Sequence, residues 1–144
     1  MRKALAALAM SALLLPTLAV GTSANDGWSF DIVDANLLAK GAAVEVTFDT
    51  VCPAPTPTYY SADIDVTQRV GGGKIATGGL TMYYSTLQFT CDGSTVNSST
   101  ALVTPETGVA FKNGVALVTV IVRPGSMVPE LLPAVEEVKL SKAK

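Results

Sequence analysis

The chain has 144 residues, 49 % of them hydrophobic and 15 % charged, with two cysteines and no histidine. Ten basic against twelve acidic residues leave a net charge of −2, so the cationic excess that neutralises a nucleic-acid backbone is missing and nucleic acid is not expected as a partner. Lack of histidine excludes Ser-His-Asp and Cys-His catalysis and every zinc site built on imidazole, while length and composition fit one small domain.

Arg2 and Lys3 precede the segment from Ala4 to Val20, in which 14 of 17 residues are apolar, and the small residues Thr22, Ser23 and Ala24 follow. This order of charge, apolar run and small residues predicts a secretory signal over residues 1–24, cleaved between Ala24 and Asn25. Pro16 interrupts the run, which is at the short limit for a membrane span. Residues 136–144 are charged, so neither a membrane anchor nor a lipid-anchor tail is expected after signal removal. The product should be secreted and extracellular. In that oxidising setting Cys52 and Cys91 have only each other to pair with, and one disulfide is the default.

Trp28, Phe30 and Ile32, followed by Leu37 and Leu38, suggest an opening strand with a break near Asp34. Val44, Val46, Phe48 and Cys52 share one face of the next strand, with Glu45, Thr47 and Asp49 opposite. Pro53, Pro55 and Pro57 end it, because proline donates no ladder hydrogen bond. Tyr60, Ala62, Ile64 and Val66 then alternate with Tyr59, Ser61, Asp63, Asp65 and Thr67. Glycines 71–73 and 78–79 bracket a short strand over 74–77. Leu87, Phe89 and Cys91 alternate with Gln88 and Thr90, which turns Cys91 inward like Cys52.

Asp92-Gly93 and Asn113-Gly114 are turn signals. The Thr- and Ser-rich run up to Thr104 forms a further strand, stopped by Pro105. From Val115 to Val122 the chain is almost continuously apolar and β-branched. That pattern fits a central strand covered on both faces, or one leading into an interface. Residues 124–144 read as a proline-containing linker and a charged tail, in which Leu131, Leu132, Val135 and Val138 also fit helical spacing. About seven short strands with regular turn signals predict an antiparallel β-sandwich over residues 25–123.

The alternating strand ending in Cys52-Pro53, the Val66-Thr67-Gln68-Arg69 and Gly71 to Gly78 segments, Phe89-Thr90-Cys91-Asp92-Gly93 and Phe111-Lys112-Asn113-Gly114 together carry a resemblance. From Val44 to Val122 the chain resembles small secreted actinobacterial proteins with an immunoglobulin-like sandwich. The resemblance implies that fold and export, and no activity. It departs from antibody-type domains: Trp28 precedes Cys52 instead of lying between the cysteines, and Phe89 stands where a tyrosine-corner residue belongs.

Asp63 and Asp65 project in parallel from one strand, whereas calcium prefers oxygens converging from a bent loop, and a hydrolytic carboxylate pair needs a cleft. No catalytic, metal or cofactor residues are therefore expected. Lys74 as the bait of a protease inhibitor is opposed by its flexible glycine surroundings. Asn97-Ser98-Ser99 fits the glycosylation acceptor pattern. Tyr59-Tyr60 and Tyr83-Tyr84 each must turn one ring outward, and Tyr59 and Tyr84 are the candidate binding surface, since tyrosine combines rigid area with a polar tip. The function that follows is a non-enzymatic extracellular binding module for a protein, glycan or small ligand. The rivals are an apolar-ligand carrier and, further off, a secreted protease inhibitor or hydrolase.

Overall fold

Alternation of apolar and polar side chains drives most of the chain into strands, because a period of two gives an extended segment one buried face. The computed structural model describes residues 23–25, 27–125 and 134–142. These form β1 (Ser23–Asn25), β2 (Trp28–Leu38), β3 (Ala43–Val51), β4 (Tyr60–Val70), β5 (Lys74–Tyr83), β6 (Asn97–Val103), β7 (Gly114–Pro124) and β8 (Ala134–Lys142), with a single 3-10 turn at Ala39–Gly41. The expected signal segment lies outside the described residues up to residue 22, and its cleavage point falls within β1.

Seven strands make one sheet in the order β5-β4-β7-β8-β2-β3-β6, and β1 pairs with the start of β2. All of these pairings are antiparallel except that of β2 with β8, which runs parallel at Asn36–Ser141 and Leu37–Lys142. The sheet curls until its ends meet. Just beyond β6 the Glu106 N–H donates to the Thr77 carbonyl on β5 at 2.8 Å. Beside it Gly78 lies so near the Thr104 carbonyl that a Cβ would overlap it. The result is an all-β fold close to a barrel, in which the edge strands β5 and β6 touch at this point without forming a ladder among the described residues.

Inside, Phe30, Phe48, Phe111, Ile64, Leu87 and Leu140 are each less than 2 % exposed. The alternation predicted for β3 and β4 holds, with Val44, Val46, Phe48, Ile64 and Val66 fully buried. The expected break near Asp34 is a bulge between Ile32 and Asp34. It turns Val33 out to 54 % exposure, and the Asp34 carboxylate accepts the Ala35 N–H at 2.8 Å. At the far end Gln68 acts as a surrogate strand: its amide donates to the Lys112 carbonyl at 2.7 Å and accepts the Lys112 N–H at 2.8 Å. That grip seats Phe111 in the core.

Three sequence expectations change. The short strand over 74–77 continues through both glycines to Tyr83, because Gly78 fits the close approach of Thr104. The linker and charged tail over 124–144 is corrected over part of its length: residues 134–142 form β8, an interior strand of the sheet between β7 and β2. Helical spacing in that stretch loses to the antiparallel pairing of Val120 with Ala134 and Gly114 with Leu140. Residues 87–91, finally, keep the alternating burial of a strand without joining the sheet.

Gly78→Ala should lower stability by about 1–3 kcal/mol, since the added methyl meets backbone that cannot move without opening the seam. Chemical unfolding checks this, and an unchanged midpoint would show that β5 and β6 do not depend on this approach.

Candidate functional site

The site begins with the disulfide. Cys52, one residue past β3, is bonded to Cys91 across a sequence separation of 39, a loop whose closure contributes about 4 kcal/mol in the chain-entropy model. This confirms the predicted pairing, with both cysteines inward and at most 6 % exposed. Around it the backbone donors of residues 89–91 are met by side chains. The Phe89 N–H donates to the Tyr60 hydroxyl at 3.0 Å, the Thr90 N–H to Asn97 Oδ1 at 2.7 Å and the Cys91 N–H to Thr56 Oγ1 at 3.2 Å. Buried donors need partners, and these three side chains replace a neighbouring strand.

The turn after Cys91 is fixed in the same manner. Asp92 accepts the N–H groups of Ser94 and Thr95 at 2.8 and 2.7 Å and the Thr95 hydroxyl at 2.6 Å. These bonds, the Thr95 hydroxyl first, hold its carboxyl well below the usual carboxylate range. The Gly93 N–H returns to the Cys52 carbonyl at 2.9 Å. Asn97, 8 % exposed, donates its amide to the carbonyls of Thr50, Thr90 and Thr95 at 3.1–3.2 Å. The residue that fits a glycosylation acceptor in sequence is therefore an internal clamp in the folded chain.

On this frame stand the tyrosines. Tyr60 points inward, stacked on Phe89 with ring centroids 4.7 Å apart, and its hydroxyl donates to the Leu87 carbonyl at 2.8 Å. Tyr59 therefore points outward, where it meets Tyr84 at 5.3 Å and an interplanar angle of 59°. The structure thus brings together the two rings singled out in the sequence, at 40 % and 50 % exposure. Tyr83 is exposed as well, at 50 %. Alternation did not anticipate this, because β5 stops at Tyr83 and the chain turns through residues 84–86. Ser61 faces both Tyr83 and Arg123 across the sheet, which places the Arg123–Asp63 ion pair beside the aromatic group.

Asp63 is thereby engaged: it pairs with Arg123 and accepts the Thr81 hydroxyl at 2.7 Å. Asp65 lies beside the bare backbone of Gly79. Lys74 opens β5 on an exposed turn. Among the described residues no cluster of three or more metal-ligating side chains occurs, and no helix is long and apolar enough to cross a membrane.

One carboxylate escaped the sequence reading. Glu136 shares the inward side of β8 with Ala134 and Leu140, opposite Val118, and its Oε1 is buried without a hydrogen-bond partner. Burial, and next the charge of Asp31, raise its pKa, while the Ile32 N–H partly opposes them. The inward position is legible only once β8 is known to be a strand.

No protein-family model and no curated protein sequence matches the chain. Among solved structures, an alkylpurine DNA glycosylase, AlkC of Pseudomonas fluorescens bound to DNA containing an abasic site analog, is similar at a TM-score of 0.40 and 16 % identity, covering 79 % of this chain and 30 % of that one. A likeness this slight carries no inference about the chain.

Tyr60→Phe should cost about 1–3 kcal/mol, because it leaves the Leu87 carbonyl and the Phe89 N–H buried without partners. Faster hydrogen exchange at Phe89 is the local signature. Glu136→Gln should stabilise the fold at neutral pH. A carboxyl with a raised folded-state pKa binds more protons folded than unfolded, so stability falls as pH rises from the unfolded value through the folded one. Unfolding curves from pH 3 to 7 should show that fall in the parent and lose it in the variant. An unchanged profile would remove Glu136 from the pH dependence.

Proposed function

We propose that this chain is an exported, non-enzymatic, immunoglobulin-like sandwich that serves as an extracellular binding module, meeting a protein or glycan through Tyr59 and Tyr84. The observation that carries the reading is the exposed tyrosine pair on a disulfide-pinned end of the fold. Aromatic rings held in place before contact lose little conformational freedom on binding, and their hydroxyls supply polar anchors. A core in which Phe30, Phe48, Phe111, Ile64 and Leu87 are each less than 2 % exposed favours this surface over an apolar-ligand carrier, for which a deep lined cavity is needed. Engagement of Asp63 with Arg123 favours binding over hydrolysis, which needs carboxylates free in a cleft.

The strand order supports the immunoglobulin-like part of the proposal. β2, β3 and β6 are neighbours at one end of the strand order and β8, β7, β4 and β5 at the other, and the two groups join where the first long strand runs parallel to the last. The disulfide departs from antibody domains, linking the end of β3 to the segment before β6 instead of two strands from opposite layers. Export rests on residues 1–24 and on the disulfide, which belongs to oxidising compartments. Cleavage after Ala24 gives a product beginning at Asn25, which N-terminal sequencing of the culture-medium protein tests.

Binding to glycan arrays and to extracellular protein fractions should fall together on Tyr84→Ala and on Tyr59→Ala, by roughly thirtyfold for a ring at the centre of a contact. Both positions are exposed, so stability should hold. A ligand bound equally well by the Tyr59→Ala/Tyr84→Ala double variant would overturn the assignment of this surface.

A further inference from the structure

Burial of one face does not require the almost continuous apolar run of β7, broken from Val115 to Val122 by Thr119 alone. Its inward residues Ala116, Val118, Val120 and Val122 are at most 2 % exposed, yet on the outward side Val115 is 60 % and Leu117 43 % exposed. On β8 Val135, opposite Thr119, is 48 % exposed. These outward side chains share one face of the sheet and form an apolar strip with no cover among the described residues.

Charges flank the strip in a particular order. On β4, Thr67 is opposite Leu117 and Asp65 opposite Thr119. Arg69 lies two residues to the other side of Thr67, on the same exposed face. On β8, Glu137 is opposite Leu117 and Lys139 opposite Val115. Asp65, Arg69, Glu137 and Lys139 have no ionic partner among the described residues. The pattern has a centre at Leu117, with an anion on one side of it along β4 and a cation equally far on the other.

We propose that this face joins two copies of the chain about a two-fold axis that crosses the strands at Leu117. Rotation about that axis reverses the order of residues along each strand. It sets Asp65 of each copy against Arg69 of the other, Leu117 against Leu117 and Val115 against Thr119. The two Glu137 carboxylates approach near the axis, flanked by Lys139 from both copies. Charge complementarity selects a second copy as the occupant: the face matches its own Asp65 and Arg69 at once and gathers two Glu137 and two Lys139 in a balanced group, the self-complementarity that an isologous interface demands. Because Tyr83 lies toward the Asp65 end of the sheet, the tyrosine pairs stand at opposite ends of the dimer.

The test is sedimentation equilibrium of the full folded chain, with native mass spectrometry, over a concentration series. A concentration-dependent dimer is expected, weakened by salt. Leu117→Lys places two cations on the axis and should raise the dimer dissociation constant at least about tenfold. Asp65→Arg and Arg69→Asp should each do the same at exposed positions that tolerate them. Mixing these last two variants restores every opposed pair and should give a heterodimer. Unfolding curves confirm that each variant is folded, and the charge variants decide the matter should Leu117→Lys not fold. A monomer up to millimolar concentration would overturn the proposal, as would a dimer indifferent to all three substitutions or two charge variants that fail to associate when mixed.

Discussion

A buried segment without a neighbouring strand sets the constraint on which the disulfide-pinned end of this protein depends. Residues 87–91 carry alternating apolar side chains into the core, which commits the intervening backbone amides to leave water. Tyr60, Asn97 and Thr56 satisfy them from three different parts of the chain, and the disulfide removes much of the freedom the segment would have when unfolded. A neutral hydrogen bond contributes only about 1 kcal/mol net, but a buried amide left without one costs more. The side chains at this end are therefore there to prevent a penalty, and in doing so they fix the backbone that presents Tyr59 and Tyr84.

The same logic runs through the sheet's weak points. At one seam Gly78 admits the Thr104 carbonyl, so that β5 and β6 shield each other's edges. At the opposite seam the bulge at Val33 draws β2 away from its simple register, and Glu136 lies on β8 beyond the short stretch, Ser141 and Lys142, that pairs with β2. An inward carboxylate with a raised pKa opposes folding at neutral pH, and that cost falls on this seam.

Much of this architecture was legible in the sequence wherever period two was clean. Val44 to Cys52 and Tyr60 to Val66 place their apolar residues inward as read, and the two inward cysteines find each other. Failures came where non-local contacts override local pattern. The spacing of Leu131, Leu132, Val135 and Val138 fits a helix, and from Ala134 to Lys142 only pairing with β7 and β2 makes the chain a strand. Leu87, Phe89 and Cys91 have a strand's alternation, yet their amides find side chains, which no local pattern can announce. Tyr59 was placed outward by parity, whereas Tyr84 is outward because the strand has already ended: the two rings come together for two different reasons.

Surface chemistry then divides along the β4–β7 face. Near its upper end the tyrosines, Arg123 and Asp63 give a mixed aromatic and polar surface whose charges are already paired, so a ligand arriving there need not strip water from a lone ion. Lower on the same face, apolar Val115 and Leu117 lie between ions that have no partners within the described chain. Such ions favour a complementary surface over an unmatched one, since like charges brought together under an apolar contact are strongly unfavourable. One end thus suits rings that pack against varied partners; the other suits a partner carrying the reverse charge order. The least elaborate surface that carries that order, in reverse, is the same face turned through half a rotation.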